Sequence, residues 1–319
     1  MKTLFFGAGP LGLFYAHLLH DAGKDVTILA RGTKYDLIRN RELKLIDGFS
    51  RKTTVPSLKA VDRLAKDDAY DLVVVLVRKN RIQSVIESLS ASPDLRNILF
   101  MGNNVAGFQT YRSGLPDEKI LFGFPGAGGG WKDPKSLEIV DRESPKKRKR
   151  MPIRIGEMDG VEKARTREIQ ALFESSGIPV ELLADIDGWL KYHAAFVIPI
   201  GCAIYRHGCD LGPLAEDQET LRLAIRACKE AGNVLRDLGY TRRQPFKFNL
   251  FYWLPESVTA KMFRGIFESR FAEVALAMHA EAARDEFERL VAEFRSLAEE
   301  AGVEMPNFDG LSSCVSLTV

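Results

Sequence analysis

Apolar and polar positions follow two different rhythms along this chain. Up to about residue 185, short apolar runs recur, separated by stretches with helical spacing. Strands are expected at Leu4–Phe6, Val26–Leu29, Leu72–Val77, Ile98–Met101, Ile120–Phe122 and Val180–Leu183. A hairpin is expected to join 136–140 to 151–155. Helical patterns fall between several of these, including Leu11–Asp21 and Ile82–Leu89. Val73–Val77 is apolar throughout, as in a parallel strand covered on both faces. Such alternation predicts an α/β domain with a Rossmann-type, doubly wound parallel sheet over residues 1–186. Beyond it the strand pattern fades. Gly188–Tyr205 reads as an apolar helix interrupted by Pro199 and Gly201. Ala215–Leu238 is amphipathic, and one long helical stretch runs from Ser257 to Ala301, closed by Gly302 and Pro306. An all-helical C-terminal domain is therefore expected over 187–319.

The first strand opens onto Gly7-Ala8-Gly9-Pro10-Leu11-Gly12 and then directly into a helix. A Gly-x-Gly-x-x-Gly in that strand–turn–helix setting is a dinucleotide signature. Gly7 permits the tight turn, Gly9 lets a pyrophosphate approach the backbone, and Gly12 lets helix and strand pack closely. The helix N-terminus offers unpaired N–H groups and a positive dipole end to the phosphates. The second strand narrows the choice of cofactor. Its end, where NAD-binding units carry Asp or Glu, carries Arg31, followed by Gly32, Thr33 and Lys34. A carboxylate would repel a 2′-phosphate, whereas a guanidinium binds it bidentately and stacks on adenine. NADP(H) is the expected cofactor.

Composition adds bounds. The 319 residues suffice for two domains, and 45% hydrophobic with 28% charged residues is ordinary for a soluble protein. The net charge of +2 implies no global attraction to nucleic acid or membrane. No secretory leader and no bilayer-length apolar run are read, and the four cysteines form no CxxC pair. A cytoplasmic protein with reduced thiols and no metal site is expected. The basic run Lys146–Arg150 reads as a solvated loop of the expected hairpin. The helical half has apolar surface enough for a homodimer.

Candidate chemistry gathers at strand ends and on one helix. Arg78 and Lys79 follow the Leu72–Val77 run, and Asn103 and Asn104 follow the next strand. Arg78 can neutralise a cofactor phosphate. Asn103 can both donate and accept hydrogen bonds to ribose, nicotinamide or a substrate carbonyl. In Trp189–Pro199, Lys191 and His193 interrupt a largely apolar helix. An ammonium there can stabilise the charge that builds on a carbonyl oxygen during hydride transfer, then supply the proton. By periodicity alone a lysine that snorkels to water is the simpler reading.

Together, the glycine turn, Arg31, the Asn103 loop and the Trp189–Lys191 helix resemble the ketopantoate reductase family of NADP-dependent 2-oxoacid reductases. The resemblance covers most of the chain in order. It implies a Rossmann domain and a helical domain with the active site between them, and a small carbonyl compound as substrate. It implies NADPH contacts from Gly7, Gly9, Pro10, Leu11, Gly12, Arg31 and Arg78. Asn103 falls on the family's asparagine near nicotinamide and substrate, and Lys191 on its catalytic lysine. Counting back from Gly302–Pro306 puts Glu286 on the family's substrate-orienting glutamate.

Departures fall in the substrate half. Asn104 replaces a glycine, Ala195 an asparagine, and Pro199 or Ile198 a second asparagine. The family's serine has no counterpart around Val274. Each buried substrate group left unpaired would cost about 1–3 kcal/mol. A different, less polar 2-oxo acid or ketone is therefore expected. Two other readings stay open: an NADPH-binding sensor that has lost catalysis, and an opine-type dehydrogenase.

Overall fold

The computed structural model describes residues 1–315. The chain divides into two compact units. The first is Met1–Gly102 with Phe108–Ile186; the second joins the loop Asn103–Gly107 to the chain from Asp187 onward.

The first unit contains twelve strands: β1 (Thr3–Phe6), β2 (Val26–Leu29), β3 (Lys44–Asp47), β4 (Thr53–Thr54), β5 (Lys59–Val61), β6 (Leu72–Val75), β7 (Asn97–Met101), β8 (Ile120–Phe124), β9 (Gly128–Asp133), β10 (Ser136–Val140), β11 (Ile153–Gly156) and β12 (Val180–Leu182). Eight of them form one sheet in the order β12-β11-β8-β7-β6-β1-β2-β5. Every pair in it is parallel except β8–β11. β1, β2 and β6 are buried along their whole length. Apolar residues on both faces are what a sheet covered from both sides requires. Phe5, Leu13, Ile28, Val74 and Leu99 lie at the centre of this core.

Register positions the glycine turn. Phe6 pairs with Leu29 on one side and Val75 on the other. The residues after β2 and β6, including Arg31 and Arg78, therefore leave the sheet on either side of Gly7.

Two expectations fail in this unit. The segments 136–140 and 151–155 are not a hairpin. β10 belongs to a separate four-stranded sheet, β4-β3-β10-β9, and β11 to the large one. β10 pairs in parallel with β3 and antiparallel with β9. The intervening basic loop is only partly solvated. Lys146–Lys149 are exposed, but Arg150 donates to Asp141 Oδ2 at 2.7 Å and to the Gly177 carbonyl at 3.0 Å.

Among the described residues every regular element of the second unit is a helix. Its core is built on the helices Ile186–Arg206, Gln218–Asp237 and Arg284–Ala301, with Tyr192, Ile198, Ile225, Leu235, Phe287 and Phe294 inside. The expected interruption at Pro199 and Gly201 does not occur; the helix runs unbroken from Ile186 to Arg206. Burial offsets the hydrogen bond lost at proline. A side chain at Gly201 would overlap the Phe287 ring, so glycine here serves helix–helix contact. Ala215–Leu238 is two helices, Leu211–Glu216 and Gln218–Asp237. They are split at Asp217, whose side chain caps the amides of Glu219 and Thr220 at 3.0 Å. The stretch from Ser257 to Ala301 is likewise broken. A helix Glu256–Phe267 ends at a Ser269-capped restart, a π-turn spans Glu273–Ala277, and Arg284–Ala301 begins afresh. No helix among the described residues is long and apolar enough to cross a membrane.

Candidate active site

The first unit contributes a dinucleotide cradle. The Gly7 backbone has φ +118°, a conformation L side chains rarely adopt, and a Cβ there would meet the Leu76 carbonyl oxygen at 2.8 Å. At Gly12 a Cβ would overlap the Gly7 carbonyl oxygen, so only glycine lets the helix lie this close to the turn. Gly9 is the opposite case, with nothing within 4 Å of where its Cβ would stand. That open face is the approach a pyrophosphate needs. Gly9 is also the N-cap of the helix Pro10–Asp21, whose first turn carries no acidic residue. Pro10 occupies the first turn, where its missing N–H costs nothing. Leu11 packs on the core beside the turn. The N-terminal amides thus face an open, uncharged surface suited to phosphate.

Basic groups flank it. Arg31 is exposed just after β2. Lys34 lies over the Trp131 ring, 4.5 Å from its centroid. Burial, and secondarily the charge of Arg78, pushes the Lys34 amine below its ordinary range. Two cations near enough to disfavour each other's charge form a site an anion would relieve. These residues fit an anionic ligand such as a dinucleotide. Lys79, beside Arg78, turns inward instead: it is buried, with Nζ 3.5 Å from the Tyr111 hydroxyl.

The second unit carries the three residues expected to do chemistry, each on or beside the loop Asn103–Gly107. Asn103, at the start of the loop, donates from Nδ2 to Glu286 Oε1 at 3.3 Å across 183 positions of sequence. Glu286 is 4% exposed, in the first turn of the helix Arg284–Ala301, and its Oε2 lies 3.9 Å from His279 Nε2. Asn103 Oδ1 is buried and has no hydrogen-bond partner in the structure. A buried carbonyl oxygen without a donor is costly, which marks it as an acceptor for a bound molecule. The loop is pinned at two further points. Asn104 Nδ2 donates to the Gly107 carbonyl at 2.9 Å, and the Ala106 amide donates to Glu293 Oε2 at 3.3 Å.

Lys191 closes the other side of this loop. Its side chain is 5% exposed and does not snorkel to water. Nζ donates to Asp187 Oδ1, one turn earlier on the helix, at 2.5 Å. A Cβ on Gly107 would stand 3.5 Å from Nζ. The loop that starts with Asn103 therefore ends against the ammonium group. His193 is half-buried and stacked on Trp189, with centroids 4.9 Å apart.

Sequence reading missed two members of this group. Asp187 stands four residues before Lys191, a spacing that makes helical neighbours, and that signal was available. Tyr240, whose hydroxyl donates to Asp187 Oδ2 at 2.7 Å, gave none. The departures also find their places. Ala195 and Ile198 are packed in the helical core, Pro199 is buried within its helix, and Val274 is buried in the π-turn.

Residues 3–145 match the family model described as ketopantoate reductase PanE/ApbA. A 2-dehydropantoate 2-reductase of Listeria innocua serovar 6a is 25% identical over 232 residues, covering 72% of this chain and 73% of that protein. Among solved structures, the 2-dehydropantoate 2-reductase of Geobacter metallireducens GS-15 superposes with a TM-score of 0.77 at 18% identity, covering 99% of each chain. A D-mandelate dehydrogenase, in a ternary structure with NADH and anilino(oxo)acetate, reaches 0.78 at 14% identity, covering 99% of this chain and 97% of its own. At those identities the likeness establishes the shared fold.

Proposed function

We propose that this chain, whose residues 3–145 match the ketopantoate reductase PanE/ApbA family model, is an NADPH-dependent reductase of 2-oxo acids or related ketones. The observation that carries the reading is the convergence of Lys191 and the Asn103–Glu286 pair on one short loop. When bound, the reduced nicotinamide supplies a hydride. The carbonyl carbon accepts that hydride, the C=O π pair moves to oxygen, and the oxygen takes a proton from Lys191 Nζ. The products are the alcohol, the oxidised cofactor and a neutral lysine. The buried Oδ1 of Asn103 accepts a hydrogen bond from cofactor or substrate, and Glu286 accepts one from a substrate hydroxyl or orients Asn103. Gly7, Gly9 and Gly12 with the first helix turn hold the pyrophosphate; Arg31, Lys34 and Arg78 favour the 2′-phosphate of NADPH.

The substrate we infer is less polar than ketopantoate. Ala195, one turn beyond Lys191 and packed in the helical core, supplies no amide donor where the family resemblance implies one. The D-mandelate dehydrogenase of the same fold was solved with anilino(oxo)acetate, an oxo acid that carries a phenyl ring on an anilide nitrogen, which supports a substrate larger and more aromatic than ketopantoate.

Fluorescence titration with NADPH and NADH, followed by NADPH oxidation against a panel of 2-oxo acids including ketopantoate, tests this reading. NADPH should bind more tightly than NADH, and Arg31→Ala should reduce that preference by about tenfold or more. Lys191→Ala should lower turnover about 10²- to 10⁴-fold with NADPH affinity unchanged. NADPH binding with no turnover across the panel would favour the sensor reading. Turnover only with an added amine would favour an opine-type dehydrogenase.

A further inference from the structure

We propose that Asp187, braced by Tyr240, is the positioning residue for Lys191. The inference rests on the reductase reading above and deepens it. A lysine side chain has four rotatable carbons and three equivalent donors, and left alone it carries its charge to water. Here the ammonium is held inside the protein at 5% exposure, and the means are visible. Asp187 Oδ1 takes one N–H at 2.5 Å. Asp187 is itself held: its second oxygen accepts from the Tyr240 hydroxyl at 2.7 Å. The Tyr240 ring lies 5.0 Å from Nζ, within cation–π range. The backbone of Tyr240 is fixed in turn, since its carbonyl accepts from the Tyr192 hydroxyl at 2.6 Å. Gly107 leaves room beside the ammonium that a Cβ would take.

Each contact removes a direction in which Nζ could turn. One N–H is committed to Asp187 and one side is covered by the ring. The remaining donors are left on the side of the loop that begins with Asn103. Two carboxylates therefore divide the work in this unit. Glu286 serves Asn103, and Asp187 serves Lys191.

Asp187 does not act on substrate, so its loss should appear as misplacement of the proton donor. Asp187→Asn should lower kcat about 10- to 100-fold, the cost of moving a reacting group by about an ångström. KM for the carbonyl and Kd for NADPH should change less than about twofold, because neither ligand touches Asp187 in this scheme. Asp187→Glu should recover part of the loss, and Tyr240→Phe should give a smaller loss of the same kind.

A second readout needs no turnover. Labelling of the ligand-free protein with an amine reagent, quantified per lysine by peptide mass spectrometry, should show Lys191 about tenfold or more reactive in Asp187→Asn. Lys79, buried in the other unit, should stay protected and serves as the control for general loosening. Should Lys79 labelling rise in parallel in Asp187→Asn, Tyr240→Phe decides by the same two measurements. Unchanged labelling of Lys191 and unchanged kcat would overturn the proposal. If Lys191→Ala turned over like the wild type, the reductase reading would lose its proton donor. The labelling ratio would still decide whether Asp187 holds Lys191.

Discussion

Gly9 and Gly12 stand three residues apart and answer to opposite constraints. At Gly12 a methyl group would overlap the Gly7 carbonyl, while at Gly9 it would meet no protein atom. Gly12→Ala should therefore destabilise the fold by about 1–3 kcal/mol, as overpacking does. Gly9→Ala should leave the melting temperature within about a degree of wild type yet weaken NADPH binding about tenfold or more, because only the ligand occupies that space. Thermal denaturation beside fluorescence titration separates the two. Asn103 gives a third test. With its buried Oδ1 awaiting a donor, Asn103→Ala should cost about 10²-fold in kcat/KM at saturating NADPH. At this scale much was legible. Strand-end position and residue type pointed to Arg31, Arg78 and Asn103. Lys191 and Glu286 needed the family resemblance, since helical spacing favoured an exposed lysine and gave the glutamate no distinction from its neighbours. Tyr240 was beyond reach, because nothing local ties a residue after a helix to a carboxylate 53 positions earlier.

Elements were read well where a single rhythm governed them and badly where two competed. β1, β2 and β6 are apolar on both faces, so their sequences announce buried parallel strands. The small sheet was missed because β4 has two residues and β9 opens with three glycines, which carry no strand pattern. β10 was found but given the wrong partner, since sequence adjacency to β11 says nothing of the parallel pairing with β3. In the helical half, the π-turn at Glu273–Ala277 inserts a residue into the ladder and shifts every later position around the axis. One element junction also sets a pH response. Glu157 follows β11 and is 3% exposed. Burial alone would push its carboxyl upward, but hydrogen bonds from Arg165 and Thr166 and the charges of Arg165 and Lys163 outweigh it and hold it below the ordinary range. A carboxyl lowered by folding stabilises the native state above the unfolded glutamate value of about 4.3. That contribution is lost as pH falls through the folded value. Melting curves should fall on acidification toward pH 3, and Glu157→Gln should start lower at neutral pH and fall less steeply.

Among the described residues there are two hydrophobic cores, one in each unit, and the comparisons reach them unequally. The family model ends at residue 145, within the first unit, while the solved structures follow the fold over nearly the whole chain. NADPH at about a hundred times its Kd should stabilise the protein by about 2.7 kcal/mol. Hydrogen exchange should locate that gain at the amides of Gly9–Gly12, and exchange unchanged there would remove the phosphate from the turn.

The loop Asn103–Gly107 issues from β7 yet is counted with the helices, so the polypeptide crosses between the units at three points instead of one. This has a consequence for descent and for engineering. The helical unit cannot be exchanged as an uninterrupted stretch of gene: a transplant of the chain from Asp187 onward would leave behind Asn103 and the Ala106 amide that Glu293 accepts. A chimera meant to acquire another relative's substrate preference must carry these five residues with it. Natural recombination of the two halves meets the same barrier, so specificity in such a chain is expected to drift by point substitution more readily than by module exchange.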